Sequence, residues 1–167
     1  MIDSLFNKLI NQPVCYIVRA SNMLCLGFGE YRVVYEKNGD ILKKSKYALH
    51  VQTSWRIVNK NSAMIILASS DFYEPNSHLK WTKEFNWDKC GNNLFDEKSD
   101  QWLTKNTPIY VQYVKYNSWG DLFLKFTNGD RLEVFINKSN ESEAWRFFEC
   151  DSEQKHLVVT GLGFSWE

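Results

Sequence analysis

Three histidines (His50, His78 and His156) and four cysteines (Cys15, Cys25, Cys90 and Cys150) are the side chains best suited to metal, nucleophilic or acid–base chemistry. Their spacing points to none of it. No two cysteines form a C-x-x-C pair, and the His and Cys spacings match no familiar zinc pattern, so neither a metal nor a cofactor is expected. Cys15, Cys25 and Cys150 fall in apolar, strand-like stretches, where a free thiol behaves as a small hydrophobe. A phosphate cradle needs backbone amides at the start of a helix. Gly27-Phe28-Gly29 and Gly161-Leu162-Gly163 have no helical pattern after them. H-E-x-x-H and G-x-S-x-G are absent as well. The reading therefore favours a non-enzymatic protein. One enzymatic alternative stays open, a hydrolase using Glu133, His50 or His156, which requires those groups to meet in one cleft.

Two groups of residues are better suited to binding. In Tyr47 to Val58 strict alternation sends Leu49, Val51, Thr53, Trp55 and Ile57 to one face and His50, Gln52, Ser54 and Arg56 to the other. His50, Gln52 and Arg56 form a polar row that can line a groove, with Arg56 a fork for carboxylate or phosphate. The bland reading is a solvated sheet face. Asp71, Tyr73 and Glu74 follow an apolar strand and lie in a loop, where contact with a partner competes with ordinary turn hydrogen bonding. Glu133 is expected to pair with Arg146 across strands.

The positioning elements are mostly strands. Ile2 to Asn11 has helical spacing, with Asp3 or Ser4 as cap and Pro13 as stop. Period two then predicts strands over Val14–Ala20, Met23–Phe28, Glu30–Glu36 and Tyr47–Val58, with a more fully buried one at Ala63–Ala68. Ser21-Asn22 and Lys37-Asn38-Gly39-Asp40 read as turns, the second a hairpin, and Lys43, Lys44 and Lys46 as a solvated loop. Asn76 to Asn93 is irregular and carries Trp81, Phe85 and Trp87. It reads as a loop packed on the body, a lid or a partner-binding insertion. A second helix is expected over Asp96–Asn106. Strands follow at Ile109–Tyr116, Asp121–Thr127, Arg131–Ile136, Ala144–Cys150 and His156–Thr160, with turns at Trp119-Gly120-Asp121 and Asn128-Gly129. Short turns between strands predict antiparallel pairing. The fold class is α+β and β-rich: a predominantly antiparallel sheet, as a sandwich or partly open barrel, with one N-terminal and one mid-chain helix in a single domain, 1–167.

Lys+Arg and Asp+Glu both number 20, so the net charge is zero. That argues against a nucleic-acid partner and against docking on anionic lipid, although a net sum hides local patches. No stretch approaches the length of a membrane span, and Met1 to Gln12 lacks the features of a secretory signal, so a cytoplasmic location is expected.

Several phrases carry a resemblance: Ala48-Leu49-His50-Val51-Gln52 with Ser54-Trp55-Arg56-Ile57; Asp71-Phe72-Tyr73-Glu74-Pro75; and Gly120-Asp121-Leu122, Leu132-Glu133-Val134-Phe135, Ala144-Trp145-Arg146-Phe147 and His156-Leu157-Val158-Val159-Thr160-Gly161. Together they resemble a group of small uncharacterised bacterial proteins, some of which look like immunity proteins of toxin–immunity systems. The resemblance brings no catalytic residues. It implies a bacterial cytosolic binding protein whose partner is a cognate toxin. The function expected is a non-enzymatic protein-binding module, an immunity protein neutralising a bacterial toxin. Beside it stand a small-ligand-binding β-barrel, in which Trp and Tyr line a cavity, and the hydrolase already named.

Overall fold

The computed structural model describes residues 2–35 and 41–167, without the side chains of 41–43. The predicted hairpin at Lys37–Asp40 lies outside the described residues. The fold is the expected α+β, β-rich one. One sheet runs in the order β1 (Val14–Ala20), β2 (Met23–Phe28), β5 (Tyr47–Val51), β11 (Glu143–Glu149), β12 (Leu157–Thr160), β13 (Gly163–Trp166). The second runs β7 (Ile65–Ala68), β6 (Ser54–Val58), β10 (Arg131–Phe135), β9 (Leu122–Phe126), β8 (Val111–Tyr116). A ribbon pairs β3 (Arg32–Tyr35) with β4 (Ile41–Lys44). All pairing is antiparallel. The helices are α1 (Ile2–Asn7) and α2 (Leu94–Asn106).

The predicted strand Tyr47–Val58 is in fact two strands in different sheets. The chain bends at Gln52-Thr53, where the Gln52 amide donates to the Ala144 carbonyl at 2.7 Å and the Thr53 hydroxyl lies 2.7 Å from the Phe135 carbonyl. Alternation survives the bend: Leu49, Val51, Thr53, Trp55 and Ile57 are all buried. The inner side is thus one core shared by both sheets, while the outer side becomes two separate surfaces. A second seam joins the sheets where Val14 donates to Ile109 and Val111 to Gln12, but no barrel closes. The space between the sheets is filled by Leu24, Leu26, Phe28, Phe147 and Trp145 from one side and by Ile57, Leu124, Phe126, Leu132 and Val134 from the other. Burying each large side chain contributes about 1.5–3 kcal/mol. Helix α1 plugs one opening with Phe6, whose ring lies 5.7 Å from Phe147. Helix α2 closes another with Phe95 against Trp55 at 5.8 Å and Trp102 against Phe126 at 5.5 Å.

Other differences from the sequence reading have local causes. Lys43 and Lys44 belong to β4, not to a loop, because β4 is an edge of a two-stranded ribbon, a position that tolerates lysine. The apolar run before Ser69 is an edge strand rather than a fully buried one: Ile65 is 54% exposed and only Leu67 is fully covered. β13 was not expected, and α1 ends at Asn7, well before Pro13. No helix among the described residues is long and apolar enough to cross a membrane.

Candidate functional site

The six residues singled out from the sequence fall on three surfaces. His50 and Gln52 lie on the outer face of the six-stranded sheet. His50 is opposite Cys25 on one side and Arg146 on the other. Arg146 donates through Nε to both Glu143 carboxylate oxygens at 2.9 Å, and its Nη1 lies 3.3 Å from His156 Nδ1. Gln52 Nε2 donates to Glu143 at 3.3 Å. The Phe148 ring stacks on His156 at 4.3 Å and meets His50 edge-on at 5.1 Å. A groove of about 260 Å³ beside them is lined by Tyr16, Ser45, His50, Phe148, Cys150 and His156.

Histidine, cysteine and serine in one groove invite a catalytic reading, but the local chemistry opposes it. Burial raises the Cys150 thiol, and Cys15 and Cys25 are pushed up to about 11, so all three stay protonated near neutrality and are poor nucleophiles. The Ser45 hydroxyl donates to the Tyr47 carbonyl at 2.8 Å. Burial, then the Arg146 charge, hold His50 and His156 below their ordinary value. Glu133, the third member of the hydrolase alternative, lies on the other sheet. No group of three His, Cys, Asp or Glu residues that could hold a metal occurs among the described residues.

These shifts predict how the fold responds to acid. A depressed histidine means the unfolded chain binds more protons, so stability held above about pH 6.5 is lost as pH falls through the lower folded values. At Glu143 and Glu133 burial raises the carboxyl, but hydrogen bonds from Arg146 and from Arg56 and Arg131 outweigh it. Both end below 4.5, and their stabilisation disappears as pH drops below that. The melting temperature should therefore fall in two stages on acidification. Gln at His50 and His156 should remove the upper one. A flat melting temperature between about pH 7 and 5 in the unaltered protein contradicts this.

Arg56 sits on the outer face of the five-stranded sheet. Its cross-strand neighbour is Glu133, which it meets through Nε at 2.6 Å, and Arg131 Nε reaches the other carboxylate oxygen at 2.7 Å. The expected Glu133–Arg146 pair does not form, because β10 pairs with β6 and β9 and not with β11. A groove of about 560 Å³ on this face is lined by four cations (Arg56, Lys60, Lys125, Arg131), by Glu133, and by Val58, Ala63 and Ile65.

The third surface is the long loop before α2. Asp71 at its base serves the backbone: it accepts from the Ala68 amide at 3.0 Å and closes the 3-10 turn Ser69–Phe72. Tyr73 and Glu74 lie further out. The two ends of the loop zip together through Asn76 N–H to Asn92 O and Leu94 N–H to Glu74 O, both 2.8 Å. Asn76 accepts from His78 and Leu79 and donates to Gly91. The buried Asn93 donates to the Trp87 carbonyl at 2.9 Å and caps α2 by accepting from Asp96 at 2.8 Å. From β1, Arg19 grips Asp88 at 3.0 Å and Asp96 at 2.8 Å. On this fixed frame Trp81 is 64%, Tyr73 42% and Leu79 41% exposed. Trp81 donates to Glu74 at 3.3 Å and meets Phe85 edge-on at 5.2 Å.

Sequence reasoning placed aromatics in this loop but missed the asparagines and Arg19 that immobilise it. It also missed Arg131, Lys125, Glu143 and Arg146 as members of the two sheet surfaces. Asn-rich text was the available signal for the loop, and nothing local marks the others. No family model, no curated protein and no solved structure matches the chain.

Proposed function

We propose that this chain is a non-enzymatic protein-binding module, and that it acts in the bacterial cytoplasm as an immunity protein occluding a cognate toxin. The observation that carries the binding reading is the loop 73–93: Trp81, Tyr73 and Leu79 face solvent while the backbone beneath them is pinned. A rigid, exposed aromatic anchor loses little entropy on docking and buries much area, the profile of a binding hot spot. The immunity role rests on the sequence resemblance.

The test is co-expression with the product of the adjacent gene, scored for survival and for a purified complex. Trp81→Ala should weaken that complex about thirtyfold, near 2 kcal/mol, mainly through faster dissociation. Trp119→Ala, at a Trp 76% exposed in a tight turn elsewhere, is the control and should change affinity less than threefold or so. If there is no complex and no protection, the immunity reading is wrong. If a complex forms but is indifferent to Trp81, the loop is not its anchor.

A further inference from the structure

The net charge of zero conceals an uneven distribution. Alternation turns Trp55, Ile57, Leu132 and Val134 into the core, and so turns Arg56, Arg131 and Glu133 outward. The groove there holds four cations and a single carboxylate. That carboxylate is spent: Glu133, 3% exposed, is held between Arg56 and Arg131. Arg131 stands directly opposite Lys125 across β10 and β9. Among the described residues no carboxylate comes within ion-pair distance of Lys125 or Lys60. Like charges paired across strands disfavour the fold, and an anion arriving between them relieves the repulsion.

The lining also selects the kind of anion. Apart from Asn59 and Gly129, the rest of the groove is aliphatic, with Val58, Ala63 and the 54% exposed Ile65. A single nucleic-acid strand would need open rings on which to stack its bases. No ring lines this groove. Phe135 on the same face is covered by the Arg56 guanidinium at 5.4 Å and abuts Phe123 at 6.1 Å. Aliphatic side chains interspersed with cations instead match side chains with an apolar stem and a carboxylate end.

We propose that the groove on the outer face of β7, β6, β10 and β9 receives a Glu- or Asp-rich segment of the partner protein, with its carboxylates on Lys60, Lys125 and Arg131 and its aliphatic parts against Val58 and Ile65. The inference rests on the protein-binding reading and adds the chemistry of the partner. The loop anchor governs how long the complex lasts, and this face governs how fast it forms.

A fluorescein-labelled Glu-rich peptide tests the groove without a known partner, by anisotropy at low and physiological salt. The full chain should bind it. The K60E/K125E variant should bind at least about tenfold more weakly, and added salt should remove most of the difference. K8E/K155E, which makes the same charge change at two exposed lysines away from both the groove and the loop, should bind like the unaltered protein; circular dichroism confirms folding in both. Absence of peptide binding, or equal loss in the two variants, overturns the proposal. So does tighter binding of a labelled oligothymidylate that K60E/K125E abolishes, since that makes the face a nucleic-acid site. None of these outcomes depends on Trp81, so the groove can fail while the binding reading stands.

Discussion

Trp145→Ala should cost about 3–5 kcal/mol of folding stability, the range for removing a large aromatic from a closed core. Trp145 has no solvent exposure. Its ring lies 6.3 Å from Phe6 of α1 and 6.5 Å from Phe164 of β13, so it joins the helical plug to the sheet edge. Its indole Nε1 donates to the Gly120 carbonyl at 2.8 Å. Alanine leaves a cavity and an unsatisfied buried carbonyl together. The backbone beside the indole is closely packed: Gly120 is in the left-handed region at φ +93°, and a Cβ there would meet Val159 at 2.6 Å. Trp145→Phe keeps much of the packing and loses the hydrogen bond, so it should fall between the two. In a chain of this size 1 kcal/mol moves the melting temperature by about 2–4 °C, which puts the alanine variant some 6–20 °C down. Urea titration checks the energy. A loss below about 1 kcal/mol at unchanged m-value means that the indole is not the keystone described here.

Why Trp55 was legible as core and much of the binding surface was not follows from what alternation encodes. Period two states which side of a strand faces inward, and it does so through a bend. Leu49, Val51, Thr53, Trp55 and Ile57 are all inside although the chain changes sheets between them. It does not state where the bend is. Gln52-Thr53 contains neither Gly nor Pro, and the corner is held by Ala144 and Phe135, more than eighty residues away. One apparent row of His50, Gln52 and Arg56 therefore became two surfaces facing away from a common core. Pairing order is equally non-local. The sequence offers Glu133 several arginines; Arg131 is local, two residues back on β10, but only the pairing of β10 with β6 selects Arg56 over Arg146. Exposure is a tertiary property as well. Trp55 and Trp81 are the same residue type, and Phe72 and Phe95 bury one while the other rests edge-on against Phe85 and stays 64% exposed. Charge behaved the same way: an even balance in composition coexists with a cationic groove on one face.

Asp130→Ala should cost about 2–4 kcal/mol and loosen the binding loop, although the Asp130 carboxylate bonds to Asn59, Trp102 and Asn128 and not to the loop. Asp130 is 3% exposed at the β9–β10 turn. Its carboxylate accepts from Trp102 Nε1 at 2.8 Å, Asn128 Nδ2 at 2.8 Å and Asn59 Nδ2 at 2.9 Å. An ionised carboxylate has only acceptors, so it satisfies three donors at once. Alanine leaves the buried Trp102 indole and the half-buried Asn59 amide without this acceptor, while the exposed Asn128 keeps Asn106, and an unmet buried donor costs more than its bond contributed. Asparagine is the sharper probe, because its shape is retained but its NH₂ must face a donor. It should recover less than half of the loss. The effect reaches the loop along α2. Trp102 ties the C-terminal half of that helix to the sheet, and Asn93 and Asp96 at its N-terminus hold Trp87, Gly91 and Arg19. Released at Trp102, the helix transmits its play to the frame beneath Trp81. Hydrogen exchange should therefore quicken in 73–93 and α2 while β2, β5 and β11 keep their protection, and partner affinity should fall with no contact residue altered. Uniform acceleration over the whole chain points instead to global destabilisation, and unchanged exchange in 73–93 removes α2 as the link between core and loop.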